Sequence, residues 1–263
     1  VNDPRLLDGE LVVLGRIMPA SNQTFFGELV LDEREEGDRT RVVYKPSAGE
    51  RPLWDFPDGT LANREYAAWL VSDDLGWDVV PPTVLRDGPA GWGMVQLWCE
   101  PDENVSAVDL VPEGAVPRGF LHVLDAYDGD DRPVSLVHED SAALRRMAVF
   151  DAIVNNTDRK GGHVLAMTDG HRYGVDHGIC FHVEDKLRTV LWGFAGGPLA
   201  EEELTALEAL TASLRSGRLA EELPTLLTAR EVDRTLARAD RLLRFGCLPV
   251  SHGGWPSIPW PPF

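Results

Sequence analysis

Along the first hundred residues the apolar positions run in short blocks rather than at helical intervals. Residues 11–18 (Leu-Val-Val-Leu-Gly-Arg-Ile-Met) and 25–32 (Phe-Phe-Gly-Glu-Leu-Val-Leu-Asp) have the β-branched and aromatic content of strands. Between them lies a polar turn, Pro19-Ala20-Ser21-Asn22-Gln23-Thr24. An acidic turn over 33–38 leads to a third strand, Arg41-Val42-Val43-Tyr44-Lys45. Past a Pro/Gly-rich connection the period changes. Tyr66, Trp69, Leu70 and Leu75 recur at helical spacing and predict a helix over 62–75. Val79-Val80, Val84-Leu85 and 93–98 return to strand patterning, so the expectation is an antiparallel sheet with one helix inserted after its third strand.

The pattern differs in the second half. Residues 101–140 carry ten acids against two arginines, a net −8, and include the loop-like stretch 125–133; they read as a solvated, partly mobile surface. Ser141 is an N-cap candidate, and Leu144, Met147, Phe150 and Val154 follow helical spacing up to Asn155. Residues 200–245 are mostly helical in pattern, with Leu204, Leu207, Leu210, Leu214, Leu236, Leu242 and Leu243. From Gly246 a Pro/Trp-rich tail reads as irregular. No internal repeat interrupts this order, which gives an α+β chain, β-rich first and α-rich second. The boundary is expected just after Trp98, dividing the chain into a sheet lobe (1–98) and a helical lobe (99–263). Trp54, Trp69, Trp92, Trp98 and Trp192 read as core or lobe-packing residues.

Composition narrows the class of function. The 263 residues are 43% hydrophobic and 26% charged, as in ordinary globular proteins. No apolar run is long enough to span a bilayer, and Val1-Asn2-Asp3-Pro4 opens no leader-like segment, so the expected location is cytoplasmic. Cys99, Cys180 and Cys247 are too few and too widely spaced for a disulfide framework or a zinc knuckle. A formal charge of −18 disfavours nucleic acid and stable association with anionic membranes. Lysine is rare: 22 of the 25 basic residues are arginine, leaving Lys45, Lys160 and Lys186. A lysine kept inside an apolar strand marks a position where a compact ammonium is wanted in place of a guanidinium fork.

The chemistry concentrates after the helix ending near Asn155. Asn156-Thr157-Asp158-Arg159-Lys160-Gly161-Gly162-His163 opens a hairpin of Val164–Met167 and Arg172–Val175, which closes on Asp176-His177-Gly178. A hairpin returns its end beside its beginning, so Asp158 and His163 at the entry meet Asp176 at the exit. Two carboxylates and an imidazole gathered in this way make most sense around a divalent cation carrying an anionic substrate.

An Asp-Arg pair, a metal-ligand position five residues later, and a short hairpin ending in Asp-x-Gly resemble the catalytic and metal loops of the phosphatidylinositol 3/4-kinase-like branch of the protein-kinase-like fold. Val42-Val43-Tyr44-Lys45-Pro46 is similar to the family's nucleotide-lysine strand, and Arg64-Glu65-Tyr66-Ala67-Ala68 to the helix that supplies its glutamate partner. Val79-Val80-Pro81-Pro82-Thr83 resembles the next strand of type II phosphatidylinositol 4-kinases and HipA-like kinases. The resemblance spans roughly residues 10–195, with the motifs in order. It implies a two-lobed fold and an ATP-dependent phosphotransferase using Mg2+ or Mn2+. In that assignment Lys45 contacts the phosphates and pairs with Glu65, Asp158 orients or deprotonates the acceptor hydroxyl, and Asp176 holds the metal. Ser21, Asn22, Gln23 and Thr24 would cover the phosphates, and Cys99 and Glu100 would face adenine. His163 stands where the family has asparagine as second metal ligand, and imidazole suits manganese better than magnesium.

The charge of −18 and the absence of a basic or amphipathic membrane helix favour a soluble acceptor, a small-molecule or protein hydroxyl, over a lipid. A nucleotide-binding pseudokinase or scaffold, and AMP transfer by the same fold, are alternatives. A metal-dependent hydrolase using Asp158, His163, Asp176 and His177 is another, and it leaves Lys45 and Glu65 unexplained.

Overall fold

The computed structural model of the chain describes residues 4–18, 22–31, 39–51, 53, 55, 56, 60–251, 253 and 257–263. After a short helix α1 (Pro4–Leu7), strands β1 (Glu10–Arg16), β2 (Phe25–Val30) and β3 (Arg39–Pro46) precede helix α2 (Leu61–Leu75). Strands β4 (Thr83–Gly88) and β5 (Gly91–Leu97) follow it. They form one antiparallel sheet in the order β1-β2-β3-β5-β4, which is the expected sheet with a helix after its third strand. Alternation along β3 buries Val42 and Tyr44 on one face, in a small core with Leu6, Leu11, Leu29, Val84 and Val95. Lys45, one residue out of phase with them, is thereby presented to the opposite face, towards α2. The first turn of α2 is capped by a side chain from outside the helix. Glu50 accepts hydrogen bonds from the amides of Leu61 (3.1 Å) and Ala62 (2.8 Å), placing negative charge at the positive end of the helix dipole.

The acidic stretch departs from expectation. Strands β6 (Val108–Pro112), β7 (Phe120–Tyr127) and β8 (Pro133–Glu139) form a second antiparallel sheet in the order β6-β8-β7, where a mobile surface was expected. The central strand explains it. Ser135, Leu136, Val137 and His138 are buried in succession, while many of the acids sit at exposed positions on the flanking strands and turns. Val79-Val80 also corrects the reading, because both are buried in the connection after α2 rather than in a strand. The Val80 amide is held by Ser72 Oγ at 3.0 Å, and the Val79 carbonyl accepts from the Gly174 amide at 2.6 Å.

Helix α3 (Ala142–Val154) begins at Ser141, whose side chain accepts from the Leu144 amide, and ends at Asn155 in the left-handed conformation (φ 54°). Strands β9 (Val164–Ala166) and β10 (Arg172–Gly174) then form the expected hairpin. Helices α4 (Glu201–Ser216), α5 (Arg218–Glu222) and α6 (Ala229–Phe245) complete the α-rich part, joining α2 and α3 around the main apolar core. Of the tryptophans, Trp69 is buried and Trp98 meets Phe26 edge-on, but Trp92 is half-exposed on β5; Trp54 lies outside the described residues. The chain is thus α+β and two-lobed, an antiparallel sheet with one helix followed by a mainly helical lobe that also carries a three-stranded sheet. No helix among the described residues is long and apolar enough to cross a membrane.

A buried ion pair ties α2 to the helical lobe. Arg64 donates through Nη2 to Glu231 Oε1 at 2.6 Å and through Nη1 to the Cys180 carbonyl at 2.8 Å. Glu231 is also in the capping box of α6, accepting from the Thr228 amide at 2.8 Å. Burial pushes the Glu231 carboxyl up, but the Thr228 amide and Arg64 outweigh it and leave its pKa below the ordinary glutamate value. Its contribution to stability is therefore present above a pH of about 4.3 and is lost as pH falls below that. Arg64→Met leaves Glu231 buried without its partner and should cost about 3–5 kcal/mol in a denaturant titration at neutral pH. A loss below about 1 kcal/mol would mean that the pair does not hold the lobes together.

Candidate functional site

Where β3 meets the exit of the β9–β10 hairpin, three predicted residues converge. Lys45 Nζ donates to Glu65 Oε1 at 2.6 Å and to Asp176 Oδ1 at 2.8 Å. Glu65 lies on α2 and is only 2% exposed, and its second oxygen accepts from the backbone amide of His177 at 2.8 Å. A single buried carboxylate therefore grips the strand lysine and the backbone just after Asp176. Burial alone would push the Lys45 ammonium down, but Asp176 and then Glu65 outweigh it and raise its pKa above the ordinary lysine value. Asp176 is held well below the carboxylate range, mainly by Lys45. Its backbone is left-handed (φ 63°), a conformation that aspartate tolerates better than most residues, and Gly178 follows two positions on.

His163 lies beside Asp176. Its Nδ1 is 3.0 Å from the Asp158 carbonyl and takes the donor role there, which leaves the Nε2 lone pair facing Asp176 Oδ2 at 3.6 Å. Burial lowers the His163 pKa against the opposing pull of Asp176, which favours the neutral ring. Asp158 lies at the entry, its amide held by Asn156 Oδ1 at 2.9 Å and its carboxylate 3.6 Å from Lys160 Nζ. Burial, foremost, raises the Asp158 pKa above the ordinary aspartate value.

The framework beneath this loop escaped the motif reading. Arg159, with no exposed surface, pairs with the equally buried Asp151 of α3 through Nε (3.0 Å) and Nη2 (2.8 Å). Its Nη1 donates to the carbonyls of His163 (3.2 Å) and Val175 (3.1 Å), and its Nη2 meets His177 Nε2 at 2.6 Å. One guanidinium thus fastens the entry of the hairpin to its exit. Its signal in the sequence was an arginine next to Asp158 and an aspartate inside an apolar helix. Lys160 was likewise visible only as one of three lysines. At Gly161 the amide donates to the Pro262 carbonyl at 2.8 Å, and the ring of Phe263 fills the space that a side chain on Gly161 would need.

The other predicted residues make contacts of their own. Asn22 Oδ1 accepts from the Arg51 amide, Gln23 packs on Gly49, and the Thr24 carbonyl accepts from the Ile17 amide; Ser21 lies outside the described residues. Cys99 is half-buried and its thiol pKa is pushed up to about 11 by burial. Glu100 is engaged at the surface by Arg41 and by Trp98 Nε1, both at 3.0 Å. Among the described residues no group of three His, Cys, Asp or Glu side chains is gathered to hold a metal ion. Asp176 and His163 supply two converging donors. A divalent ion held by these two would have to be completed by substrate phosphates and water.

No family model matches the chain. It is 52% identical over 267 residues to "Protein Rv2133c" of Mycobacterium tuberculosis (strain ATCC 25618 / H37Rv), covering 98% of this chain and 94% of that protein. It is 33% identical over 188 residues to "Phosphatidylinositol 4-kinase gamma 6" of Arabidopsis thaliana, covering 65% of this chain and only 29% of that much longer relative. A solved Helicobacter pylori structure, the "proinflammatory kinase CtkA", superposes with a TM-score of 0.36 at 15% identity over 89% of this chain and 96% of the other, too slight a likeness to carry weight. The partial similarity to a kinase and the two-lobed α+β architecture together fit a kinase-like fold.

Removing the anchor of the loop tests its energetics. Asp151→Ala leaves the buried Arg159 guanidinium unpaired, and unfolding in urea should show a loss of about 3–5 kcal/mol. An unchanged midpoint would mean that the hairpin base is held by its backbone contacts alone.

Proposed function

We propose that the chain, which belongs to the same family as Protein Rv2133c of Mycobacterium tuberculosis, is an ATP-dependent phosphotransferase of the phosphatidylinositol 3/4-kinase-like kind, acting on a hydroxyl of a soluble small molecule or protein. The observation that carries the reading is the Lys45 ammonium held between Glu65 (2.6 Å) and Asp176 (2.8 Å), with Glu65 also bound to the His177 amide. An ammonium held charged and fixed in place is suited to nucleotide phosphates as a point charge. A divalent cation, Mg2+ or Mn2+, would be held by Asp176 and His163 and would neutralise developing charge on the phosphates. Asp158, its basicity raised by burial, would orient the acceptor hydroxyl and take its proton. Lys160, 3.6 Å from Asp158, adds positive charge on the side where the transferred group would lie. Arg159, bound to the carbonyls of His163 and Val175, holds the entry and the exit of the hairpin together beneath both carboxylates.

Nucleotide binding without turnover is the second reading, favoured by the small donor set of Asp176 and His163. In that case ATP binds with a divalent ion but no phosphate is transferred.

Calorimetry with Mg-ATP and Mn-ATP tests both readings. Lys45→Met and Asp176→Asn should each weaken nucleotide binding by about 1.5–3 kcal/mol, because each removes a charge-assisted contact. The Asp176 variant should show the larger change in a metal titration, and His163→Asn should move the ion preference towards magnesium. Wild-type protein that binds neither complex, or folded variants with unchanged affinity, would overturn the reading. Phosphate transfer by the wild type separates the kinase from the scaffold.

A further inference from the structure

Away from this cluster the structure holds a half-open cavity of about 540 Å³, between the end of α3, residues 184–187, α6 and the segment that follows it. Its volume is in the range of small-molecule sites. Leu187, Trp192, Leu242, Leu248 and Val250 supply apolar wall, and Arg238 and Arg241 lie one helical turn apart on α6 at its charged end. The charge there is uneven. Arg234, Arg238 and Arg241 all bind the single carboxylate of Asp185, at 3.1, 2.9 and 2.8 Å.

Arg238 is 2% exposed. Its Nε goes to Asp185 and its Nη2 to the carbonyls of His182 and Glu184, while its Nη1 is buried with no hydrogen-bond partner among the described residues. Three guanidiniums share the Asp185 carboxylate, while Glu184, which also lines the cavity, is paired with Lys186 at 3.3 Å, so the Arg241 end of the cavity is positive in a chain whose net charge is −18.

We propose that this cavity binds a small amphiphilic anion, an acyl or similarly apolar body with one carboxylate or phosphate head, seated on Arg241 beside the buried Arg238, with its body against Trp192 and Leu242. The apolar wall alone would accept a neutral ligand. The arginine pair sharing one acid selects the negative head, since guanidinium pairs with carboxylate and phosphate oxygens through parallel hydrogen bonds. This site is independent of the nucleotide reading and uses none of its residues.

The test is calorimetry of the full chain with decanoate and with decyltrimethylammonium, which share an apolar tail and differ in head charge. Decanoate should bind at one site at about 100 µM or tighter, and the cationic amphiphile at least about tenfold more weakly. Arg241→Glu, at a half-exposed position on α6, should weaken decanoate at least about tenfold with the melting temperature retained. If that variant does not fold, Val250→Trp, which narrows the cavity from a half-exposed rim position, should abolish the single-site binding. Equal affinity for both heads, no single-site binding up to about 1 mM, or decanoate affinity unchanged in the folded variants would overturn the proposal.

Discussion

Glu65 is 2% exposed, and the site depends on where its two carboxylate oxygens go. One is bound to Lys45 at 2.6 Å and the other to the His177 amide at 2.8 Å, so the sheet, α2 and the exit of the β9–β10 hairpin meet at one buried acid. A carboxylate that is 2% exposed is stable only with both oxygens satisfied. Its burial therefore fixes the distance between β3 and the residue after Asp176. Arg64, one residue earlier on the same helix, binds Glu231 of α6, so consecutive side chains of α2 reach both the cleft and the far helices.

Arg159 does the equivalent work inside the helical lobe. With Asp151 behind it and the carbonyls of His163 and Val175 in front, it closes the hairpin whose entry carries Asp158 and whose exit carries Asp176. His163 is then positioned by its Nδ1 contact to the Asp158 carbonyl, which leaves Nε2 towards Asp176. The result is a polar cluster in which each carboxylate has a cation: Lys45 for Glu65 and Asp176, Arg159 for Asp151, and Lys160 near Asp158.

Much of this was legible in the chain because each part has a local signal. Period-two patterning placed β3, and a lysine inside an apolar strand of an arginine-rich protein marked Lys45. Helical spacing placed Glu65 on α2, and the glycines around a short hairpin marked the turn that sets His163 beside Asp176. The second sheet was hidden because acids at exposed positions on its flanking strands obscured a central strand buried on both faces at Ser135–His138. Val79 and Val80 are β-branched but serve as buried connection, a tertiary override of local propensity. The expected roles of Asn22–Thr24, Cys99 and Glu100 came from the family pattern, and their contacts, to residues 49–51, to strand backbone and to Arg41, could not be read from composition. The Arg159–Asp151 pair was illegible for a related reason: a buried ion pair has no sequence signature until its two elements are packed together.

The most direct measurement is an anomalous difference map from crystals grown with Mn2+ and a non-hydrolysable ATP analogue. The predicted result is a manganese peak bound by a carboxylate oxygen of Asp176 and by His163 Nε2, with Lys45 Nζ turned onto a phosphate while Glu65 keeps the His177 amide. A nucleotide bound elsewhere on the chain, or a metal peak away from Asp176 with the Lys45–Asp176 pair intact, would contradict it.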